Sequence, residues 1–283
     1  MNVAEAMTPR DDVVTVSLPG TRDDVLRYLQ EDHFSSVPVV KTDDGREVYR
    51  GLISREDLIE QPDEDQLALL MRDVPTVGQT EPIEAVARVV ADHGTRRVPV
   101  VEDGELVGII TVTDVVRAIA DGDADGDTAV GDLAQRVVNT TWTETPLPVV
   151  ERELYFADVP YAVVLGDEGD MAGIVTEVDV IDVARVVEGE AETGDSFADQ
   201  DDDWMWEGIK GTGTRYFPTR NVEIPAGPVQ EFMTADVQTV TASRTAREVA
   251  QLLVTADVEQ VPLVRGDELD AIVRDTDLLR ALL

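Results

Sequence analysis

The sequence predicts a mixed α/β protein assembled from four copies of one β-α-β-β-α unit, and three recurrences carry that prediction. A seven-residue run whose apolar residues end abruptly in polar ones appears as GLISRED (Gly51 to Asp57), GIITVTD (Gly108 to Asp114), GIVTEVD (Gly173 to Asp179) and, more loosely, AIVRDTD (Ala271 to Asp277). A Val-Pro pair precedes each run: Pro38, Pro99 and Pro160 are 61 residues apart, and Pro262 follows after 102, one period plus an insertion of 41. A Thr-Val pair, at Thr15–Val16, Thr76–Val77 and Thr239–Val240, starts 23 residues before its proline, a place that Val137 and Val138 take in the third copy. Self-similarity at a fixed period marks stacked repeats, each too small to bury a comfortable core alone.

The Thr-Val pair opens each unit. Apolar residues then recur at intervals of three and four, in VLRYLQEDH and IEAVARVVADHG, which is the period of a helix, and Gly94 closes the second of these. The β-branched VPVV reads as a strand, a Gly- and Asp-bearing turn leads to a further strand such as VGIIT, and DVVRAIA continues as a second helix. From proline to the last Asp the distance runs 19, 15, 19 and 15, so odd and even units differ by four residues in that turn, as a duplicated ancestral pair would. The units fall at 1–61, 62–122, 123–188 and 227–283, with an insertion at 189–226.

Composition narrows the function. The formal charge is −36, from 59 acidic and 23 basic residues, and only Lys41 and Lys210 are lysines. So acidic a surface repels itself in dilute buffer, whereas about 1 M salt shortens the Debye length to about 3 Å; the expected setting is a salt-rich cytoplasm such as that of halophilic archaea. A global negative field opposes a phosphate backbone and no basic stripe is visible, which argues against nucleic acid. No apolar stretch approaches the roughly 18 residues of a membrane span, and MNVAEAMTPRDD lacks a signal-peptide pattern. The absence of cysteine excludes disulfides, thiolate zinc sites and cysteine nucleophiles. His33 and His93 are the only histidines, and no paired carboxylates, triad or metal cluster stands in a catalytic context, so no enzymatic activity is expected.

The polar strand ends admit two readings. Ser54 with Asp57, Thr111 with Asp114 and Thr176 with Asp179 each have the spacing of a capping box, worth about 1 kcal/mol and needing no ligand. Arg274 breaks that pattern in the fourth unit while Asp277 remains. A helix N-terminus at a strand end also suits phosphate, and an Asp one turn in can accept both hydroxyls of a ribose diol.

The unit order, with MTxxxxTV, VPVV and GhhTxxD, strongly resembles the cystathionine β-synthase (CBS) domain family over all four repeats, leaving only the insertion outside. The resemblance implies two Bateman modules, each a pair of repeats about a pseudo-twofold axis, in a disk like that of the γ subunits of AMP-activated protein kinase. It also implies adenine nucleotide binding, by AMP, ADP or ATP, in a non-enzymatic regulatory, energy-sensing protein; S-adenosylmethionine is the alternative ligand. Carried over by position, Asp57, Asp114, Asp179 and Asp277 would hold ribose. Ser54, Thr111, Thr113, Thr176 and Thr276 would lie on the phosphate side, and adenine would lie against Thr15, Val16 and Val37, Thr76, Val77 and Val98, and Thr239. Repeat 2 adds Arg96 and Arg97 before its VPVV, where a guanidinium can grip phosphate in a fork or simply pair with the acidic surface. Arg55 and Arg274 could serve a neighbouring repeat. Repeat 3 departs most, with Trp142, Pro146, Pro148 and Asp158, and its pocket is expected to be empty or filled by side chains.

Outside the repeats, GEAETGDSFADQDDD reads as a solvated linker, whereas Trp204, Trp206, Tyr216 and Phe217 concentrate aromatic surface suited to docking on the second module or a partner. GIKGTGTR is not a phosphate-binding loop, because its Lys precedes the glycines. Asp121 to Asp132 matches a calcium loop at positions one, three, five, six and twelve, a match that acidic linkers produce readily. The partners expected are a nucleotide and an effector protein or a second copy of the chain; the competing reading is an interaction module with vestigial clefts.

Overall fold

The computed structural model describes residues 1–31, 36–43, 45–54, 57–58, 61, 64–188, 220–266 and 268–283; His33, Arg55, Lys210 and the aromatic segment 204–217 lie outside them. In chain order the elements are α1 (Val3–Ala6), β1 (Thr8–Pro9), β2 (Val16–Ser17), α2 (Arg22–Glu31), β3 (Ser36–Asp43), β4 (Arg46–Ser54), α3 (Leu67–Leu70), α4 (Ile83–His93), β5 (Arg97–Glu102), β6 (Glu105–Thr111), α5 (Val112–Asp121) and α6 (Val130–Leu133). There follow β7 (Thr140–Trp142), α7 (Leu147–Ala157), β8 (Tyr161–Leu165), β9 (Met171–Thr176), α8 (Glu177–Val183), β10 (Arg185–Glu188), β11 (Arg220–Glu223), α9 (Ala246–Ala256), β12 (Gln260–Arg265), β13 (Glu268–Arg274) and α10 (Asp275–Leu278). Two compact units result: Met1–Arg136 with Thr239–Arg265 and Asp270–Leu283, and Val137–Gln238 with Gly266–Leu269.

The 23-residue spacing is a strand register. Val16 lies beside Val39, Val77 beside Val100, Thr140 beside Val163 and Val240 beside Leu263, every pair parallel and 23 residues apart. A parallel pair needs a crossover, and the helix between the two strands supplies it. Repeat 3 keeps the register without the threonine, its strand shifted slightly along the chain. The even-repeat turn is tight: Asp103 and Gly104 take φ of 48° and 85° between β5 and β6, the two left-handed positions of a two-residue hairpin.

Each repeat begins with a leader that pairs with another repeat. Thr8 and Pro9 pair with Ile109 and Gly108 of repeat 2, and Arg72 pairs with Leu52 of repeat 1. Gln135 pairs with Ile272 of repeat 4 in the first unit, and Thr234 with Ile174 of repeat 3 in the second. The motif glycine makes room for this. A Cβ on Gly51, Gly108 or Gly173 would stand 2.7, 2.6 or 2.6 Å from the carbonyl oxygen of Arg72, Thr8 or Thr234, with Met71, Met7 or Met233 alongside. The loose fourth motif changes on both sides, carrying Ala271 where glycine stands elsewhere and Ala134 in the leader where methionine does.

In the first unit repeats 2 and 4 share one core. Ile83, Val86, Ile110, Val115 and Ile119 join Val249, Leu253, Leu263, Val273 and Leu278, all at most 2% exposed, and each such burial contributes about 1.5–3 kcal/mol. The periodicity of α5 accounts for its share, since Val112, Val115, Val116 and Ile119 fall on one face. Val25, Leu29, Val37 and Ile53 of repeat 1 form a separate cluster with Leu67 and Leu70 from the leader of repeat 2. In the second unit Leu147, Val150, Leu154, Val164, Val175 and Val229 form another, and β10 pairs antiparallel with β11.

Candidate functional site

All four motif carboxylates turn back onto the residue three positions before them. Asp57 Oδ2 accepts from the Ser54 amide and hydroxyl, both at 2.7 Å; Asp114 Oδ2 accepts from the Thr111 amide at 2.9 Å and hydroxyl at 2.7 Å. Asp179 Oδ2 takes the Thr176 amide at 2.7 Å and hydroxyl at 2.8 Å, and Asp277 Oδ2 takes the Arg274 amide at 3.0 Å and Nε at 3.2 Å. Capping is therefore real, and in the three Ser/Thr motifs it engages one oxygen only.

The second oxygen separates the repeats. Asp57 Oδ1 receives the Nε of Arg72, from the leader of repeat 2. Asp277 Oδ1 receives Gln135 Nε2 at 2.8 Å and Arg274 Nη2 at 3.4 Å. Both aspartates are 2% exposed. The leaders that meet the other two motifs present Thr8 and Thr234 instead. Among the described residues Asp114 Oδ1 has only the exposed Arg117 at 3.6 Å, and Asp179 Oδ1 has no donor.

Beside Thr111 lies a cleft of about 170 Å³ between repeats 1 and 2. Val13, Val14, Val37 and Ile109 give it apolar walls, Thr8, Asp12, Ser36 and Thr111 add polar atoms, and Arg97 supplies the cation. Arg97 Nη1 donates to Ser36 Oγ at 3.3 Å, spanning the two repeats. Arg10 shapes one wall, donating to the Val13 carbonyl at 2.9 Å and to Thr15 Oγ1 at 3.0 Å, and to Glu47 at 2.8 Å.

That last arrangement turns Thr15 away. Thr15 and Val16 border a different depression of about 430 Å³, with Ser17, Asp23, Asp24 and Tyr28. Val13 and Val14 stand at the cleft in their place, and sequence reasoning missed them along with Thr8, Asp12 and Ile109. The available signal was the Met-Thr leader. Val16, Val37, Val77 and Val98 are at most 4% exposed, and Val77 exchanges backbone hydrogen bonds with the Val-Pro strand, accepting from Val101 at 2.9 Å and donating to the Pro99 carbonyl at 3.1 Å. Thr76 and Thr239 are exposed at the starts of their strand segments.

Arg96 and Arg97 diverge because successive residues entering a strand point to opposite faces. Arg96 binds Asp275 through both guanidinium ends, at 3.2 and 2.5 Å, and Glu259 at 3.0 Å. Burial alone would lower its pKa, but the hydrogen bond and charge of Asp275, with Glu259, outweigh it and raise the value. Thr113 lies on that same side, bordering a cavity of about 210 Å³ between α5 and α9 with Arg117, Leu253, Asp257 and Asp275. The Thr276 amide donates to Asp275 Oδ1 at 2.6 Å.

The stretch Asp121 to Asp132 is divided between the end of α5, capped by Gly122, a loop, and α6. Asp127 in that loop pairs with Arg247 at 3.5 Å. Among the described residues no three acidic or histidine side chains converge as a metal centre requires, and no helix is long and apolar enough to cross a membrane.

The model of the CBS domain matches residues 3–64, 67–121 and 229–283, more than half of the chain. The chain belongs to the CBS domain family. An uncharacterised protein of Methanocaldococcus jannaschii is 27% identical to this CBS chain over 280 residues, 98% of its length, while the chain spans 61% of that relative. An uncharacterised conserved protein of Pyrococcus horikoshii, solved by crystallography, superposes over 100% of both chains with a TM-score of 0.71 and 28% identity. A second crystal structure, of an M. jannaschii protein described as a candidate archaeal homologue of the AMP-activated protein kinase γ subunit, covers 100% of both chains with a TM-score of 0.65 and 20% identity, a likeness of fold. Repeat 3 lies outside the matched ranges but has β7, α7, β8, β9 and α8 in the same order. Its departures are local: Pro146 and Pro148 open α7, and Asp158 closes it in the left-handed conformation at φ 53°.

Proposed function

We propose that the chain is a regulatory CBS protein that binds an adenine nucleotide in the cleft between repeats 1 and 2. The observation that carries this reading is the meeting of apolar walls, the Arg97 guanidinium and the start of the Asp114 helix around one cleft. A purine would lie between Val13, Val14, Val37 and Ile109, with the Asp12 carboxylate as an acceptor for its amino group. The ribose diol would bind Asp114 through Oδ1, the oxygen the cap leaves over. At about 170 Å³ the cleft is smaller than the roughly 300–1,000 Å³ of ligand pockets, so the phosphates would extend past Thr111 and Arg97 toward solvent. Arg97 favours AMP, ADP or ATP over S-adenosylmethionine, whose sulfonium it would repel. Occupancy would regulate an effector protein or a second copy by favouring one arrangement of repeats over another. We place this in a salt-rich compartment on the strength of the net charge of −36.

Calorimetric titration with AMP, ADP, ATP and S-adenosylmethionine at about 1 M KCl, where long-range attraction is screened, tests it. Asp114→Ala and Arg97→Ala should each weaken nucleotide binding about tenfold or more, the worth of one charged hydrogen bond. No heat and no rise in melting temperature with any adenosine compound would overturn it. Arg72 on Asp57 and Gln135 on Asp277 favour a second reading, an interaction module with vestigial clefts. Pull-down of a partner that survives Asp114→Ala and Arg97→Ala, but is lost on deleting residues 204 to 217, would select it.

A further inference from the structure

We propose that the residue after the leader's methionine position decides whether a motif aspartate is available to a sugar: Arg72 plugs Asp57, Gln135 plugs Asp277, and Thr8 leaves Asp114 open. The inference rests on the reading of these aspartates as ribose acceptors and extends it to which of them are acceptors at all.

Register supports it first. In every repeat the leader residue pairs with the backbone five positions before the aspartate: Arg72 with Leu52, Thr8 with Ile109, Gln135 with Ile272 and Thr234 with Ile174. All four leader side chains therefore start from the same place relative to their carboxylate, and reach alone separates them. Arginine and glutamine reach Oδ1 of Asp57 and Asp277. Threonine is too short, and no bond from Thr8 to Asp114 or from Thr234 to Asp179 forms.

Donor chemistry points the same way. A ribose diol would present hydroxyl donors to the outer carboxylate oxygen, and the arginine and glutamine N–H groups already fill that position. With Ser54 on Oδ2 and Arg72 on Oδ1, Asp57 has a partner on each oxygen and is 2% exposed. A sugar there would have to displace a charge-assisted bond, among the strongest that a carboxylate makes. The plug is part of the chain, so it is always at hand, and a nucleotide must break it before its ribose can reach the carboxylate.

Titration of the full chain with AMP at about 1 M KCl, read as sites per chain, tests the inference separately from the function. Arg72→Thr should gain one site relative to the wild type, whatever number the wild type shows, and Thr8→Arg should lose one or weaken it at least tenfold. No added site in a folded Arg72→Thr chain, together with unchanged binding in Thr8→Arg, overturns the inference even if the wild type binds AMP. A wild type that binds nothing, beside an Arg72→Thr chain that does, sinks the Asp114 site and supports the plug. Removing Arg72 leaves a buried carboxylate and could prevent folding; Thr8→Arg, which buries no new unpaired charge, then decides.

Discussion

Arg96 and Asp275 stand 179 residues apart in sequence and are joined in a two-pronged ion pair, Nη1 to Oδ1 at 3.2 Å and Nη2 to Oδ2 at 2.5 Å. The pair fastens repeat 2 to repeat 4. Asp275 is 8% exposed on its side chain while Arg96 is 44% exposed, so truncating the arginine leaves a carboxylate with little water to replace its partner. Arg96→Ala should lower stability by about 2 kcal/mol, toward the middle of the range for hydrogen bonds to charged groups. Arg96→Lys should recover only part, since an ammonium cannot reproduce the fork. Urea melts check both, and AMP affinity in Arg96→Ala should stay within about twofold of wild type because the side chain leaves the cleft. A tenfold loss of affinity would return Arg96 to the phosphate site.

Local features of the fold were legible in the sequence, and long-range choices were not. The capping boxes at Ser54, Thr111 and Thr176 depend on residues three apart, and each forms. The 23-residue spacing could be measured without knowing that it is a parallel register. The partner of each leader could not, because nothing within a repeat says that its opening residues pair with a different one; Arg72 on Asp57 and Gln135 on Asp277 were hidden for that reason. Arg96 and Arg97 looked equivalent as neighbours, although alternation along a strand should have separated them. The same exchange put Thr8 at the cleft, while Arg10 drew the hydroxyl of Thr15 toward itself.

Gly108 is where a single methyl group should be felt. Its Cβ would lie 2.6 Å from the Thr8 carbonyl oxygen and 2.7 Å from the Met7 sulfur; the sulfur can move, but the carbonyl is held in the β1–β6 ladder. Gly108→Ala should cost about 1–3 kcal/mol, the usual range for overpacking. The fourth motif suggests the compensation, since alanine stands both at Ala271 and at Ala134 in the repeat 3 leader that pairs with it. Gly108→Ala with Met7→Ala should therefore be more stable than the sum of the two single losses, a coupling that a double-mutant cycle in urea reads directly. Strict additivity would mean that the methionine is not part of the constraint.

The start of α9 gives a pH dependence with a defined sign. Glu248 accepts the Thr245 amide at 3.0 Å and faces Arg244 at 3.3 Å, and the Thr245 bond chiefly, with Arg244 helping, holds its carboxyl below the ordinary value of 4.5. A carboxyl with a depressed folded pKa contributes stability that is present above its unfolded value and lost as pH falls through the folded one. Glu248→Gln should be less stable than wild type at pH 7, and the gap should close as pH drops below about 4.5. Comparing the two chains at each pH removes the larger effect of neutralising the other acidic groups. A gap independent of pH would show that the carboxylate charge contributes nothing to the cap.

Salt should act on the whole molecule in the opposite direction from its effect on an ordinary surface ion pair. With 59 acidic and 23 basic residues, most carboxylates have no cation to meet, and repulsion between them reaches about 10 Å at 0.1 M salt but only about 3 Å at 1 M. Raising KCl over that interval should therefore increase the melting temperature, with most of the gain complete by about 1 M, where the screening length has fallen to the spacing of contacting charges. Arg96 and Asp275, at 2.5 Å, lie inside that length and should hold, so Arg96→Ala should destabilise the chain in high salt as well as low. A melting temperature that is flat or falls with KCl would mean that the acidic surface is accommodated without screening, and the case for a salt-rich compartment would fail with it.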